Sequence, residues 1–226
     1  KNPWLVSLAY LIKYWGEEKG LRLARDIFGP DYPIEASAKL LASGFNCPLA
    51  SSTGRLFDAV SALLGVCRKT TYEGQAAIEL GELALEITSE DYGSMFVVDP
   101  DGQVTGEGSG KVHILSAEKI FRGLVQDIEK GIAPEVISTK FHNSLVATIC
   151  DTVAAVSRDT GINKVVFSGG TFHNEYLAVK AQEQLEKKDF CVYTHRLLPT
   201  NDGGISLGQA AVAYWRWHKD VSFNSL

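Results

Sequence analysis

Val166-Phe167-Ser168-Gly169-Gly170-Thr171-Phe172-His173-Asn174 is the stretch on which the fold turns. It completes Lys164-Val165-Val166-Phe167, a short apolar run that reads as a buried-type strand. Ser168-Gly169-Gly170 then makes a tight turn, and two adjacent glycines let backbone approach a ligand with no Cβ atoms in the way. Asn174 stands at the start of the next helix and carries both a donor and an acceptor. Two readings stay open on these residues alone. The turn cradles a ligand, with Asn174 on a ribose or base, or it is a plain strand-to-helix connection with Asn174 as the N-cap.

Working outward, a helix is expected from about Asn174 to Lys187, then a strand over Phe190–Thr194. Asn201-Asp202-Gly203-Gly204 forms a glycine-rich loop before a last helix ending near Trp217. Strand, glycine turn, helix, strand, glycine loop, helix is the grammar of an open α/β sheet that binds ligands at its strand ends. Upstream, helices are expected over about 117–130 and 134–158, the second carrying Phe141, Leu145, Ile149 and Val153 on one stripe. Met95-Phe96-Val97-Val98 reads as a strand ended by the turn Asp99-Pro100-Asp101-Gly102, with a mobile loop over Thr105 to Lys111. Up to about Glu86 the chain reads as short helices punctuated by Gly16, Gly29-Pro30 and Pro33. One of them begins after Ser51-Ser52-Thr53 and is closed by Gly65; another begins at Gln75. The expected organisation is a helical subdomain over 1–90 and an α/β lobe over 91–226.

Three further groups could carry chemistry. Asp202 sits in a tight loop before a helix N-terminus, where its carboxylate could bind a hard divalent cation that holds a phosphate, or merely form an Asx turn. Asp58 follows Arg55 by three positions near a helix start, as part of a site or as a surface ion pair. Gly74 begins a helix whose early turns carry Glu79, which could reach a ribose hydroxyl or simply be solvated. The histidines form no H-x-x-x-H or H-x-x-H pair; His142, beside Phe141, reads as a satisfied core histidine, and His173 as the one closest to a ligand.

Composition limits the alternatives. The net charge is −5 and no basic run exceeds two residues, as at Lys187-Lys188, which argues against a nucleic-acid groove. No apolar run is long enough to span a bilayer, and the first residues lack the pattern of a signal peptide. Cys47, Cys67, Cys150 and Cys191 include no C-x-x-C pair, so free thiols in a reducing cytoplasm are expected rather than a zinc finger.

Taken in order, SSTGRLFDAVSALLG (51–65), YEGQAAIEL (72–80), FHNSL (141–145), VVFSGGTFHNEYL (165–177) and PTNDGGISLGQA (199–210) resemble the C-terminal domain of the hydrogenase-maturation carbamoyltransferases, the HypF family. The resemblance runs from about Pro3 to Trp217 and implies a ribonuclease-H-like lobe of the actin–Hsp70–sugar-kinase type, preceded by a helical subdomain. It also implies an activity: carbamoyl transfer from carbamoyl adenylate, made from carbamoyl phosphate and ATP, to the C-terminal cysteine of a HypE-like partner. By the same resemblance Gly169, Gly170 and Asn174 match an adenosine-contact motif. Asp58, Gly74 and Glu79 match ribose and intermediate contacts, and Asp202 a ligand to a divalent metal (Zn, Fe or Mg). No catalytic residue is assigned within the chain.

The departures are as informative. The family's H-x-x-x-H pair and phosphate loop lie upstream of Lys1, and Gly81 stands where relatives commonly carry Glu. The expectation is therefore a fragment or truncated protein holding half a nucleotide cleft, with little catalysis alone. Two alternatives remain: a non-catalytic half-domain that binds a nucleotide or partner, and a tRNA threonylcarbamoyl-transfer relative. Tyr-Glu-Gly-Gln at 72–75 and the acidic balance speak against the second.

Overall fold

The computed structural model describes residues 2–97 and 114–223. Nine helices and four short strands follow one another in the described residues. Helix α1 (Pro3–Trp15) starts with proline in its first turn, where a missing N–H costs nothing, and ends at Gly16 with φ +78°. Helices α2 (Glu17–Phe28) and α3 (Ile34–Ser43) are separated at Gly29 and Pro33, as expected.

Helix α4 (Thr53–Leu63) begins where the Ser52 side chain accepts the Arg55 N–H. All eight residues from Leu56 to Leu63 are buried, so this helix is surrounded on every side. Ser7 of α1 donates its hydroxyl to the Ala59 carbonyl at 2.7 Å, fixing the first of those contacts. Helix α5 (Gln75–Glu82) starts from Gly74 in the left-handed region.

Strands β1 (Phe96–Val97) and β2 (Ile114–Leu115) pair antiparallel, with Phe96 opposite Leu115. Of the expected strand 95–98 and its turn and loop, Val98, 99–102 and 105–111 lie outside the described residues. Helices α6 (Glu118–Glu129) and α7 (Pro134–Thr160) match expectation to within two residues at each end. Phe141 and Leu145 are buried on α7, while Ile149 and Val153 are only half-buried.

The segment between α5 and β1 is held along α7 by hydroxyls. The Leu85, Tyr92 and Met95 N–H groups donate to Thr139, Ser144 and Thr148 at 3.1, 2.8 and 2.9 Å. The Ser144 and Thr148 hydroxyls in turn donate to the carbonyls four residues back. Each such hydroxyl serves as donor and acceptor at once, which lets irregular backbone lie against a helix with its polar groups satisfied.

Strand β3 (Lys164–Val166) pairs parallel with β4 (Cys191–Tyr193), Val165 opposite Val192, and α8 (Glu175–Glu186) connects them. The buried-type strand is not what forms. Phe167 just beyond it is buried, but Val166 is 65% exposed and Lys164 is exposed. Among the described residues β3 has only β4 beside it, so one sheet face packs inward and the other meets solvent. Helix α9 (Ile205–Phe223) runs past the expected end at Trp217.

The hydrophobic core is continuous across both halves of the chain. It joins Trp4, Leu8, Phe57 and Leu80 to Phe121, Phe141, Phe167 and Leu177. No helix of the described residues is long and apolar enough to cross a membrane.

Candidate functional site

The glycine turn is built between two stacked rings. Phe167 and Phe172 lie with centroids 4.3 Å apart and planes at 7°, pinching the four residues between them. Gly169 adopts φ +97°, ψ 161°, a conformation that residues with a Cβ rarely hold. Its N–H donates to the Thr200 carbonyl at 2.7 Å, tying the turn after β3 to the loop after β4. Open space surrounds the Cβ positions of both Gly169 and Gly170, so the turn presents bare backbone. Gly170–His173 forms one turn of 3-10 helix on which His173 is exposed.

Two residues past Thr200, Asp202 opens a second 3-10 turn, Asp202–Gly204, whose Gly203 N–H donates to Asn201 Oδ1 at 3.0 Å. The Asx turn is therefore real, and its oxygen comes from Asn201, leaving the exposed Asp202 outside that bond. Among the described residues no three His, Cys, Asp or Glu side chains gather as a metal centre. One carboxylate gives too few donors for Zn, Fe or Mg, which require four to six or so. The described residues thus fit a divalent metal only as a single point of attachment.

The other half of the site is α5 and what touches it. Gln75 accepts the Thr71 N–H at 2.7 Å and donates its own amide to Glu79 Oε1 at 2.8 Å, which orients the Glu79 carboxylate along the helix. Asp58 is not the surface ion pair of the simpler expectation. Its carboxylate is buried and accepts from Arg55 at 2.9 Å, while Arg55 remains about half exposed. Burial pushes the Asp58 carboxyl above its usual range, against the pull of Arg55. Cys67 feels both carboxylates: burial raises its thiol first, and Glu79 and Asp58 raise it further. A thiol so placed is a poor nucleophile.

Asn174 joins these halves. Its Oδ1 accepts the Leu177 N–H at 2.9 Å, so it is the N-cap of α8. Its Nδ2 meets His142 Nε2 at 2.9 Å and lies 2.7 Å from where a Cβ on Gly81 of α5 would stand. The structure thus brings Asn174 against the helix that carries Gly74 and Glu79, and Gly169 against the loop that carries Asp202. His142 is wholly buried, as a core histidine should be, and burial pulls its pKa down to about 4. What sequence reasoning missed is its partner, 32 residues away, and the role of Gln75 in holding Glu79. The polar pairs Gln75–Glu79 and Ser138–His142, each at helical i,i+4 spacing, were the available signal.

The family model described as "Carbamoyltransferase, Kae1-like Domain, second subdomain" matches residues 1–209. Carbamoyltransferase HypF2 of Cupriavidus necator is 35% identical over 96% of this chain, and the chain spans 28% of that relative. A crystal structure of full-length HypF in the phosphate- and nucleotide-bound form superposes with a TM-score of 0.81 at 34% identity, covering 94% of this chain and 26% of that one. The structure of T. kodakarensis HypF, at 23% identity and a TM-score of 0.69, covers 94% of this chain and 27% of that one and shares the fold. With its many helices, a small parallel sheet and this match over most of its length, the chain belongs to the HypF carbamoyltransferase family and carries the α/β Kae1-like fold of its second subdomain.

Proposed function

We propose that this chain supplies one wall of the nucleotide cleft in which a carbamoyl group passes from carbamoyl adenylate to the C-terminal cysteine of a HypE-like protein. Carbamoyl adenylate would be made from carbamoyl phosphate and ATP elsewhere in the parent protein, as a step towards the cyanide ligand of a nickel–iron hydrogenase. The partner thiolate attacks the carbamoyl carbon, an S–C bond forms, the C–O bond to the adenylate phosphate breaks, and AMP leaves with the electron pair. Gly169 and Gly170 offer bare backbone to the nucleotide, Asn174 an amide, and Glu79 a carboxylate suited to ribose hydroxyls. Asp202 would give one oxygen to a divalent cation whose remaining ligands come from outside the described residues. The raised Cys67 thiol agrees with a nucleophile supplied by the partner.

The observation that carries this reading is convergence. Two loops at the same end of a parallel strand pair are bonded through Gly169 and Thr200, and Asn174 beside them leans on the helix bearing Gly74 and Glu79. Ligand sites at strand ends of open α/β sheets have this construction. A matching relative was crystallised with phosphate and nucleotide.

Calorimetric titration with ATP and AMP, with and without a divalent metal, tests it directly. Binding by the chain that weakens without metal and in Asp202→Ala supports the reading. Binding unaffected by both would remove Asp202 from the site. The second reading is a wall that binds nucleotide without catalysing transfer. Carbamoylation of a cysteine peptide by this chain alone would rule that second reading out.

A further inference from the structure

A closed ring of contacts runs through three helices behind the candidate site. The Ser138 hydroxyl on α7 donates to the Leu80 carbonyl of α5 at 2.8 Å. The Ser138 carbonyl receives His142 Nδ1 at 2.7 Å, His142 Nε2 meets Asn174 Nδ2 at 2.9 Å, and Asn174 leans back on Gly81 of α5. The chemistry of the ring fixes every proton. A carbonyl oxygen only accepts, so Nδ1 carries the hydrogen and Nε2 is the lone pair. The Asn174 amide nitrogen must then be the donor, and its oxygen faces the Leu177 N–H, which needs an acceptor. Both ends of the amide agree on one orientation.

The imidazole cannot turn to escape this. Its ring is fully buried with Phe57, Phe141 and Tyr176 around it, at centroid distances of 5.5, 5.4 and 5.8 Å. Asn174 keeps one N–H that neither His142 nor the cap uses, and Gly81, having no side chain, leaves the amide room to stay where it is.

We infer that His142 is a positioning residue for nucleotide binding: by accepting one Asn174 N–H it holds the amide so that the other N–H faces the ligand as a donor. This rests on the reading of Asn174 as a nucleotide contact. Gly81 lies beside the amide, where a Cβ would stand 2.7 Å from the Asn174 nitrogen.

Two substitutions separate positioning from mere packing. In His142→Gln the side-chain amide reaches about as far as Nε2 and can still accept from Asn174, whereas in His142→Asn the acceptor is lost although the Ser138 carbonyl can still be met. The measurement is AMP affinity by calorimetry for the unaltered chain, both variants and Asn174→Ala, beside ¹⁵N NMR of the His142 ring. The unaltered chain should show the Nδ1–H tautomer. AMP affinity should fall about tenfold in His142→Asn and Asn174→Ala, as for a lost hydrogen bond of about 1.4 kcal/mol, and stay within about twofold in His142→Gln. An Nε2–H tautomer overturns the inference, as does equal loss in the Gln and Asn variants, which would make His142 a core filler. If Asn174→Ala weakens AMP binding and His142→Asn does not, positioning fails while Asn174 stays a nucleotide contact. If Asn174→Ala changes nothing, the nucleotide reading of Asn174 fails and this inference with it.

Discussion

Helix α4 and helix α9 are both apolar enough to be core helices, and they end in opposite environments. Every residue from Leu56 to Leu63 on α4 is buried, while every residue from Ile205 to His218 on α9 is exposed, including Leu207 at 56% and Trp217 at 71%. Apolar content therefore states that a helix can be covered, and only the rest of the fold decides whether it is. The candidate site lies between these extremes. Its α5 side rests on the packed helical half, and its glycine-turn side belongs to the thin two-stranded sheet that leads to α9. If that contrast is real, substitutions should cost much on the packed side and little on the other.

The largest expected effect is at Phe141, wholly buried and edge-on to Phe57 at 5.2 Å. Phe141→Ala should lower unfolding stability by about 3–5 kcal/mol in urea titrations, through lost transfer energy and a cavity. A loss under about 1 kcal/mol would mean the helical half is loosely packed and the contrast false. Next comes pH. Folded His142 sits at about 4, well below its ordinary value of 6.5, so between those values the unfolded chain binds the proton that the folded chain refuses. Stability is then fully present above about pH 6.5 and drains away as pH falls towards 4, by on the order of 3 kcal/mol. Asp58, raised by burial, works in the opposite sense, so the diagnostic is the difference between the unaltered chain and His142→Gln. That difference should change across this window, the unaltered chain losing stability relative to the variant as pH falls; parallel curves would mean the imidazole is not buried neutral.

The packed side was also the legible side. Ser52 as a cap, Gly65 as a stop and the apolar spacing between them are local signals, and α4 formed where they place it. Strand β3 was misjudged because three apolar residues cannot say whether a second layer covers them, and Val166 shows that here none of the described residues does. Strand β2 is two residues long, too short for any period. At the site, Asn174 as a helix cap was readable from its position. Its bond to His142 was not, because the partners are far apart in sequence and meet only when α7 and α8 pack. The hydroxyls at 139, 144 and 148 escaped for a similar reason: their partners are backbone groups of an irregular segment with no pattern of its own.

Gly169 probes the boundary between the two regions. Since nothing lies within 4 Å of its Cβ position, Gly169→Ala tests backbone strain alone, free of any clash. Holding φ near +97° with a Cβ should cost about 1–3 kcal/mol. Loss of protection for the Gly169 N–H in hydrogen exchange would show the turn separating from the Thr200 carbonyl. A variant as stable as the unaltered chain would mean the turn relaxes freely, and that the glycine pair is not a fixed platform.

The smallest effect is the sharpest use of the contrast. Trp217 is the residue type that dominates cores when buried, yet on α9 it is 71% exposed. Trp217→Ser should change unfolding stability by no more than about 0.5 kcal/mol, the range of ordinary surface positions, against the several lost at Phe141. The indole should also emit at a solvent-exposed wavelength and be quenched readily by iodide, a comparison made cleanest by measuring the Trp217→Ser difference spectrum. A cost of 2 kcal/mol or more would place Trp217 against the body of the chain in solution. It would put α9 in the same class as α4, and the two regions would no longer differ in what their apolar residues do.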